Sequence, residues 1–478
     1  MDNKNEPFLK KLLSNTLLFA IGSFSSRFMI FLLIPIYSRT LSSGEYGYID
    51  LITVTVSLML PFFGLNIHEA VIRFTLQKNI DKTNVLLFGI QITIIGFLFI
   101  TLISPVILNL LGINQFLLYF LMAYLLTGLK NVLMYFSRGL EKVKGVVIIS
   151  VIETLILLIL SLGLLLWLEM GIDGYFVSLI SSSFVSLILY VYLIGIKRFK
   201  GVFSVRNWNE NIEMLKYSLP MIPNSMSWWV NNTSDKYLLN LFYGPSLTGV
   251  YAIAYKVPSL LNTFTSIFMQ AWQISAVDEY EGSKTKDNFS HVYHAFFTFN
   301  ILICGTLIVL SEPISWIMFG KEFYEARYFV SILLCAYFFN GLAAYLGSIY
   351  TSALKTKVLF YSTLTGAVVN IILNIIFIPI YGAYAAATTT LISYFTIWVF
   401  RLINSKKYVV IKFDFLSAVV QICILTFMAF IPLYFESLEK MILLISNMII
   451  LILINLSFLL KSSKFLLSKI QLKVRKIT

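Results

Sequence analysis

Charge is scarce in this sequence: Asp, Glu, Lys and Arg make up 12% of its 478 residues, about half their usual share in soluble domains. Histidine occurs 3 times, and the 3 cysteines, Cys304, Cys335 and Cys423, all fall in apolar runs without metal-ligand spacing. Such cysteines read as packing residues, and the chain offers no metal site. HExxH, a Walker loop and GxSxG are all missing, and with them the chemistries those motifs carry. Long polar connections are missing too, since the longest stretch between apolar runs on the expected outer side is near 311–325. Catalysis usually sits on loops held by a scaffold, so the chain reads as a non-enzyme with no resident cofactor.

Apolar residues fill the space, at 58% of the chain, with a mean hydropathy of +0.85. Runs of about 20 apolar residues are long enough to cross a hydrocarbon core of about 30 Å as helices. Fourteen spans are expected, near 12–36, 47–70, 84–108, 115–137, 145–168, 174–196, 215–243, 247–277, 291–310, 326–350, 358–379, 384–402, 413–434 and 440–460. The first follows Lys10 and Lys11 as a signal peptide would, but its length and lack of a small-residue cleavage site read as a retained span. The fold class is therefore an all-α polytopic membrane protein.

A net charge of +13 raises nucleic acid as a partner, and the location of the charge argues against it. With the N-terminus in the cytoplasm, 28 of the 36 Lys and Arg lie on cytoplasmic segments, 4 outside and 4 within spans. That is the positive-inside asymmetry. Clusters such as "KRFKG" at 197–201 then act as topology signals beside membrane lipids, with both termini cytoplasmic.

The chain repeats itself loosely. "LSSGEYGYIDL" (41–51) returns as "GPSLTGVYAIAY" (244–255), placing Gly47 on Gly249. "RGLEKVKG" (138–145) returns as "SALKTKVL" (352–359), and "GIDGYFVSLIS" (171–181) as "IYGAYAAATTT" (380–390). The order is kept and only loop lengths differ. Six spans per unit is an even number, so the units are parallel repeats about an axis along the membrane normal. The expected organisation is a six-helix bundle over 1–200, a second over 201–402, and two further helices with a basic tail over 403–478. Two facing bundles leave a cleft, the usual plan of an alternating-access carrier.

Polar residues line matching faces of the two repeats. Tyr46, Asp50, Thr53, Ser57, Pro61, Gly64 and His68 follow helical steps in span 2, and Tyr255, Ser259, Asn262, Ser266, Gln270 and Gln273 do so in span 8. Two explanations stand, a tight helix seam and a wet cavity. Asn224, Ser227, Trp228, Asn231, Ser234 and Asp235 form a third such face in span 7, flanked by Lys236. A charge at the bilayer centre costs about 2.5–3.5 kcal/mol, so these groups face protein or water. Asp235 and Lys236 point about 100° apart on a helix and each needs its own counterpart. Arg27, Lys130 and Lys256 are basic groups in other spans, although Lys256 reads equally as a snorkelling residue. Arg39 and Arg73 near opposite membrane faces are candidates for gates or lipid head-group contacts, and Glu153 and His68 are weaker candidates. Counting one clearly buried acid against four basic groups gives a cationic cleft suited to an anionic cargo.

"LLIPIYSRTLSSGEYGYIDL" (32–51), "YSLPMIPNSMSWWVNNTSDKYLLNLFYGPSLTGVYAIAYKV" (217–257) and "GAVVNIILNIIFIPIYGAYAAATTTLISY" (366–394) resemble the polysaccharide-transporter branch of the MATE-like flippase superfamily, which includes O-antigen flippases. The motifs are Asn370 and Asn374 leading to Ile378-Pro379 and Gly382, and Ser234-Asp235-Lys236 before Gly244. The small run after Gly382 departs from the pattern as "AYAAATT". The resemblance implies two MATE-like bundles plus two helices in a bacterial cytoplasmic membrane. It implies transfer of a lipid-linked oligosaccharide on polyprenyl diphosphate from the inner to the outer leaflet, alongside polysaccharide assembly proteins. Arg27, Lys130, Lys236, Lys256, Asn231, Ser259 and Asn262 are the expected substrate groups, and Asp235 the ion-coupling or charge-partner carboxylate, with H+ or Na+ as counter-ion. A MATE-type multidrug/cation antiporter and a membrane-embedded polysaccharide polymerase or ligase are the competing readings.

Overall fold

The computed structural model describes residues 28–77, 79–200, 207–281, 285–412, 414–435 and 437–474. Their regular structure is helical throughout. The N-terminal elements are α1 (Ile34–Thr40), α2 (Ser43–Phe63), α3 (Ile67–Thr75), α4 (Lys82–Leu110), α5 (Leu117–Gly139), α6 (Val143–Ser161), α7 (Gly171–Ile194) and α8 (Trp208–Ser218). They continue as α9 (Ile222–Ala254), α10 (Pro258–Glu281), α11 (Thr285–Val309), α12 (Ser311–Met318), α13 (Arg327–Ser352), α14 (Thr356–Ser405), α15 (Phe415–Tyr434) and α16 (Ser437–Val474). A helix satisfies its own backbone polar groups, as the hydrocarbon interior requires.

Among the described residues, 10 helices are long and apolar enough to cross a membrane, with a shorter apolar helix over Phe28–Thr40. With α14 counted as two limbs, these ten helices carry eleven of the fourteen expected spans; spans 7 and 8 fall on α9 and α10, which are not among the ten, and most of span 1 lies outside the described residues. α14 runs 50 residues but is broken at Gly382 (φ 56°, ψ −132°), three residues after Pro379, and its two limbs coincide with spans 11 and 12. α9 breaks likewise at Gly244 (φ 80°, ψ −178°), next to Pro245. Positive φ is accessible to glycine at little cost, and proline removes a helix donor, so each pair ends one limb and starts another. Span 7 is the first limb of α9; span 8 is the second limb continued by α10. What was expected as the start of span 7 is instead the separate, largely polar helix α8, whose Asn207 side chain caps it by accepting from the Glu210 amide at 3.4 Å.

Contacts divide the chain into two units, one of residues 1–256, 316–326 and 360–393, the other of 257–315, 327–359 and 394–478. In the first, α2 lies along α9, and α5 packs with α4 and α7. In the second, α13 packs with α10, α11 and α15, and α16 with α11 and α15. Cys304 and Cys335 are buried as expected of packing residues, whereas Cys423 is exposed.

Candidate functional site

The first unit holds the polar residues of span 7. α2 begins with a capping box: the Ser42 hydroxyl accepts from the Glu45 amide at 3.3 Å, and the Ser42 amide donates to Glu45 Oε2 at 2.8 Å. One turn on, glycines let α2 and α9 meet backbone to backbone. A Cβ at Gly47 would lie 1.9 Å from the Pro245 carbonyl oxygen, and one at Gly249 1.9 Å from the Ser43 carbonyl oxygen. These are the two glycines that the repeat aligns, so each half supplies the same small residue to one crossing.

One turn along α2 from Gly47 stand the charges. The Lys236 ammonium lies 3.0 Å from Asp50 Oδ1 and 2.8 Å from Oδ2, and 5.1 Å from the centre of the Tyr255 ring. Asp235 takes other partners: Oδ2 accepts from the Tyr251 and Tyr255 hydroxyls, each at 2.8 Å, and from Thr390 at 3.3 Å, while Oδ1 accepts from the Lys236 amide at 2.9 Å. Adjacent in sequence, the two charges do have separate counterparts. All three ionic residues are buried, at 1% exposure for Asp235, 7% for Lys236 and 8% for Asp50.

Asp50 corrects the count of charges made from sequence. The sequence pattern puts it on the polar stripe of span 2 without marking it as a buried acid. Lys256, half-buried, also interacts electrostatically with Asp50. Two acids therefore stand with two lysines, and the cluster is close to neutral rather than strongly cationic. Lys130 is matched as well, its ammonium donating to Glu153 Oε1 at 2.6 Å with Ser183 adding a bond at 3.4 Å.

The asparagine motif joins the same network from α14. Ser234 donates to Asn370 Oδ1 at 2.9 Å, and Asn374 Nδ2 donates to that oxygen at 2.9 Å. Thr389 donates to Asn374 Oδ1, and Tyr243 donates across the two helix breaks to the Pro379 carbonyl at 3.1 Å. Asn231 is fully used: it donates to the Ser227 and Thr363 carbonyls at 2.8 and 3.1 Å and accepts from Ser393 at 2.7 Å.

Other expected residues are spread more widely. Ser57 on α2 is exposed, receiving a bond from Trp229 Nε1 at 3.1 Å. In the second unit, Ser259, Gln270 and Gln273 are exposed and Asn262 and Ser266 half-buried, so that stripe is not a closed seam within its unit. Arg39 is exposed and donates to the Ile317 carbonyl at 2.9 Å, beside a Ser38 hydroxyl that donates to Met318 O at 2.8 Å. The Arg73 guanidinium lies 4.6 Å from the centre of the Tyr217 ring. Arg27 lies outside the described residues.

The family model for polysaccharide biosynthesis proteins matches residues 12–273. The chain belongs to this family. A second model, MatE, matches residues 220–376, which hold Asp235, Asn370 and Asn374. An uncharacterized membrane protein of Methanocaldococcus jannaschii is 26% identical over 416 residues, covering 80% of this chain and 96% of its own length. A "probable low-salt glycan biosynthesis flippase" of Haloferax volcanii is 24% identical over 213 residues, 42% of this chain and 43% of its own. Among solved structures, lipid II flippase MurJ in its inward closed conformation superposes with a TM-score of 0.70 at 17% identity, covering 93% of this chain and 99% of that one. An inward-facing multidrug resistance MATE family transporter of the MOP superfamily gives 0.63 at 13% identity, over 85% and 98%. The resemblance read from the motifs holds: this is a multi-pass membrane protein with the fold of the MOP superfamily.

Proposed function

We propose that this family member is a flippase that moves a lipid-linked oligosaccharide, carried on polyprenyl diphosphate, from the inner to the outer leaflet by alternating access. On this reading it serves cell-surface polysaccharide assembly from a cytoplasmic membrane, bacterial by the O-antigen resemblance, with both termini cytoplasmic. Residues 1–200 and 201–402 are the two bundles that rock against each other, and 403–478 adds two helices. The observation that carries the reading is the pairing of lysines with carboxylates between helices, Lys236 with Asp50 and Lys130 with Glu153. A phosphate can replace a carboxylate on a lysine, so the pairs keep the chain neutral when empty and offer cations to an anionic head group.

Arg27, Lys130, Lys236 and Lys256 then hold the diphosphate, and Ser259 and Asn262 meet sugar hydroxyls. Asn231 contributes by tying α9 to α14 rather than by contact with cargo. Arg39 belongs to an outer gate, Arg73 to the inner face, and Asp235 couples transport to H+ or Na+. Two negative charges moving outward through 100 mV gain about 4.6 kcal/mol from an inside-negative potential, at about 2.3 per charge.

One observation favours a second reading, a cation antiporter: the MatE match covers the buried carboxylate Asp235. Depletion of the protein in cells separates the two. The flippase reading expects surface polysaccharide to fall while the lipid-linked intermediate accumulates on the inner leaflet. Unchanged polysaccharide together with lost resistance to lipophilic cations would favour the antiporter.

A further inference from the structure

The Lys236–Asp50 pair joins one helix from each sequence repeat, α2 and α9, and its placement says more than that the two charges are satisfied. Asp50 is one helical turn from Gly47, whose backbone abuts the Pro245 carbonyl. The pair and the glycine crossing therefore close the same stretch of the α2–α9 interface. Apart from the ion pair, Asp50 Oδ2 has no hydrogen-bond partner among the described residues. Asp50 thus has its one ion pair with Lys236, Lys256 adding only a longer-range electrostatic interaction, and whatever takes Lys236 away leaves a buried carboxylate without its ion-pair partner.

We propose that Asp50 is a positioning residue, the counter-ion that an anionic head group displaces from Lys236 to release the α2–α9 crossing. This rests on the flippase reading, which supplies the anion and the outer placement of the crossing. A ligand moves a conformational equilibrium only as far as it binds one state better than the other. Here the difference has a source. In the closed state the lysine is occupied by Asp50; in the open state water reaches Asp50 and the lysine is free for phosphate. Opening thereby becomes conditional on cargo, and an empty carrier stays shut on that side.

The closed crossing can be read by a crosslink. A Cβ at Gly44 would lie 3.4 Å from the Ser246 hydroxyl, close enough for a disulfide in a G44C/S246C double variant. In purified protein lacking its native cysteines, oxidation should crosslink this pair efficiently. Added farnesyl diphosphate should slow the crosslinking, and farnesol, the same tail without charge, should not. Asp50→Asn should slow it about tenfold with no ligand present, and the exchanged pair Asp50→Lys with Lys236→Asp should restore it. Asp50→Glu guards against misfolding, since it keeps the charge and should crosslink like the parent and still respond to the diphosphate. If the parent responds to the diphosphate and Asp50→Asn crosslinks as fast as the parent without it, the proposal is overturned while the flippase reading stands. If Asp50→Asn opens the crossing but no diphosphate affects the parent, Asp50 is a latch that no anion releases, and the proposal is overturned together with the anionic-cargo reading.

Discussion

The α2–α9 crossing in the first unit and the α10–α11–α13 core in the second are held by different kinds of contact. At the crossing, two glycines bring backbones together and one ion pair and three hydroxyls hold charge beside them. In the second unit, aromatic rings do the holding. Trp272 stacks on Tyr345 with centroids 5.3 Å apart and meets Phe289 edge-on at 5.1 Å, while its indole donates to Ser348 at 2.9 Å. Tyr345 donates to the Phe289 carbonyl at 2.8 Å, and Arg401, 1% exposed, donates to the Ala343 carbonyl at 2.7 Å. Ring packing loses dispersion steeply with separation and has nothing to exchange it for. An ion pair and hydroxyl bonds can be remade with water, phosphate or another carboxylate. The comparison therefore assigns switching to the first region and rigidity to the second.

The largest effect on both folding and transport is expected at the crossing backbone. Gly249→Leu must displace the Ser43 carbonyl, so it should abolish polysaccharide export and sharply reduce membrane abundance. Gly163→Ala, with nothing within 4 Å of its would-be Cβ, should leave both unchanged. Trp272→Ala comes next. Removing a large buried aromatic typically costs about 3–5 kcal/mol, so the thermal midpoint in detergent should fall, with transport declining only in proportion to the protein lost. A normal midpoint would deny the second unit its rigid role.

Asp235→Asn should change stability less than Trp272→Ala, because an amide oxygen can still accept from Tyr251, Tyr255 and Thr390, yet it should remove transport at normal abundance. Lost expression would mark Asp235 as a structural charge. The smallest perturbation is labelling: cysteine at the exposed Ser57 and Ser259 and at half-buried Asn262 should react with a small water-soluble thiol reagent in a working protein. Protection at all three would return both stripes to packing seams.

The regions also differ in how far they were legible in sequence. Composition and hydropathy gave most of the spans, because the length of an apolar run is set by the bilayer itself. The helix breaks were legible as Gly-Pro pairings at Gly244 and Pro379–Gly382. Gly47 and Gly249 could be aligned as repeat partners, but their meeting is a long-range packing fact with no local pattern. Asp50 was hidden for a similar reason: its partner Lys236 is 186 residues away on another helix, so no local pattern joins them. Lys130 and Glu153 are 23 residues apart on separate helices, so no periodicity joined them. Arg401, near the end of span 12, is buried with its guanidinium on the Ala343 carbonyl of α13, a partner 58 residues away that no local pattern marks.

The central claim is that the cargo is an anionic glycolipid, and proteoliposomes test it most directly. They would carry a fluorescent disaccharide on polyprenyl diphosphate, with a membrane-impermeant quencher reporting the leaflet. The account predicts protein-dependent movement between leaflets that is lost in Asp50→Lys protein and absent for the same sugar on a neutral polyprenol. Equal movement of the neutral lipid, or no movement of the diphosphate while a lipophilic cation is transported, would contradict it.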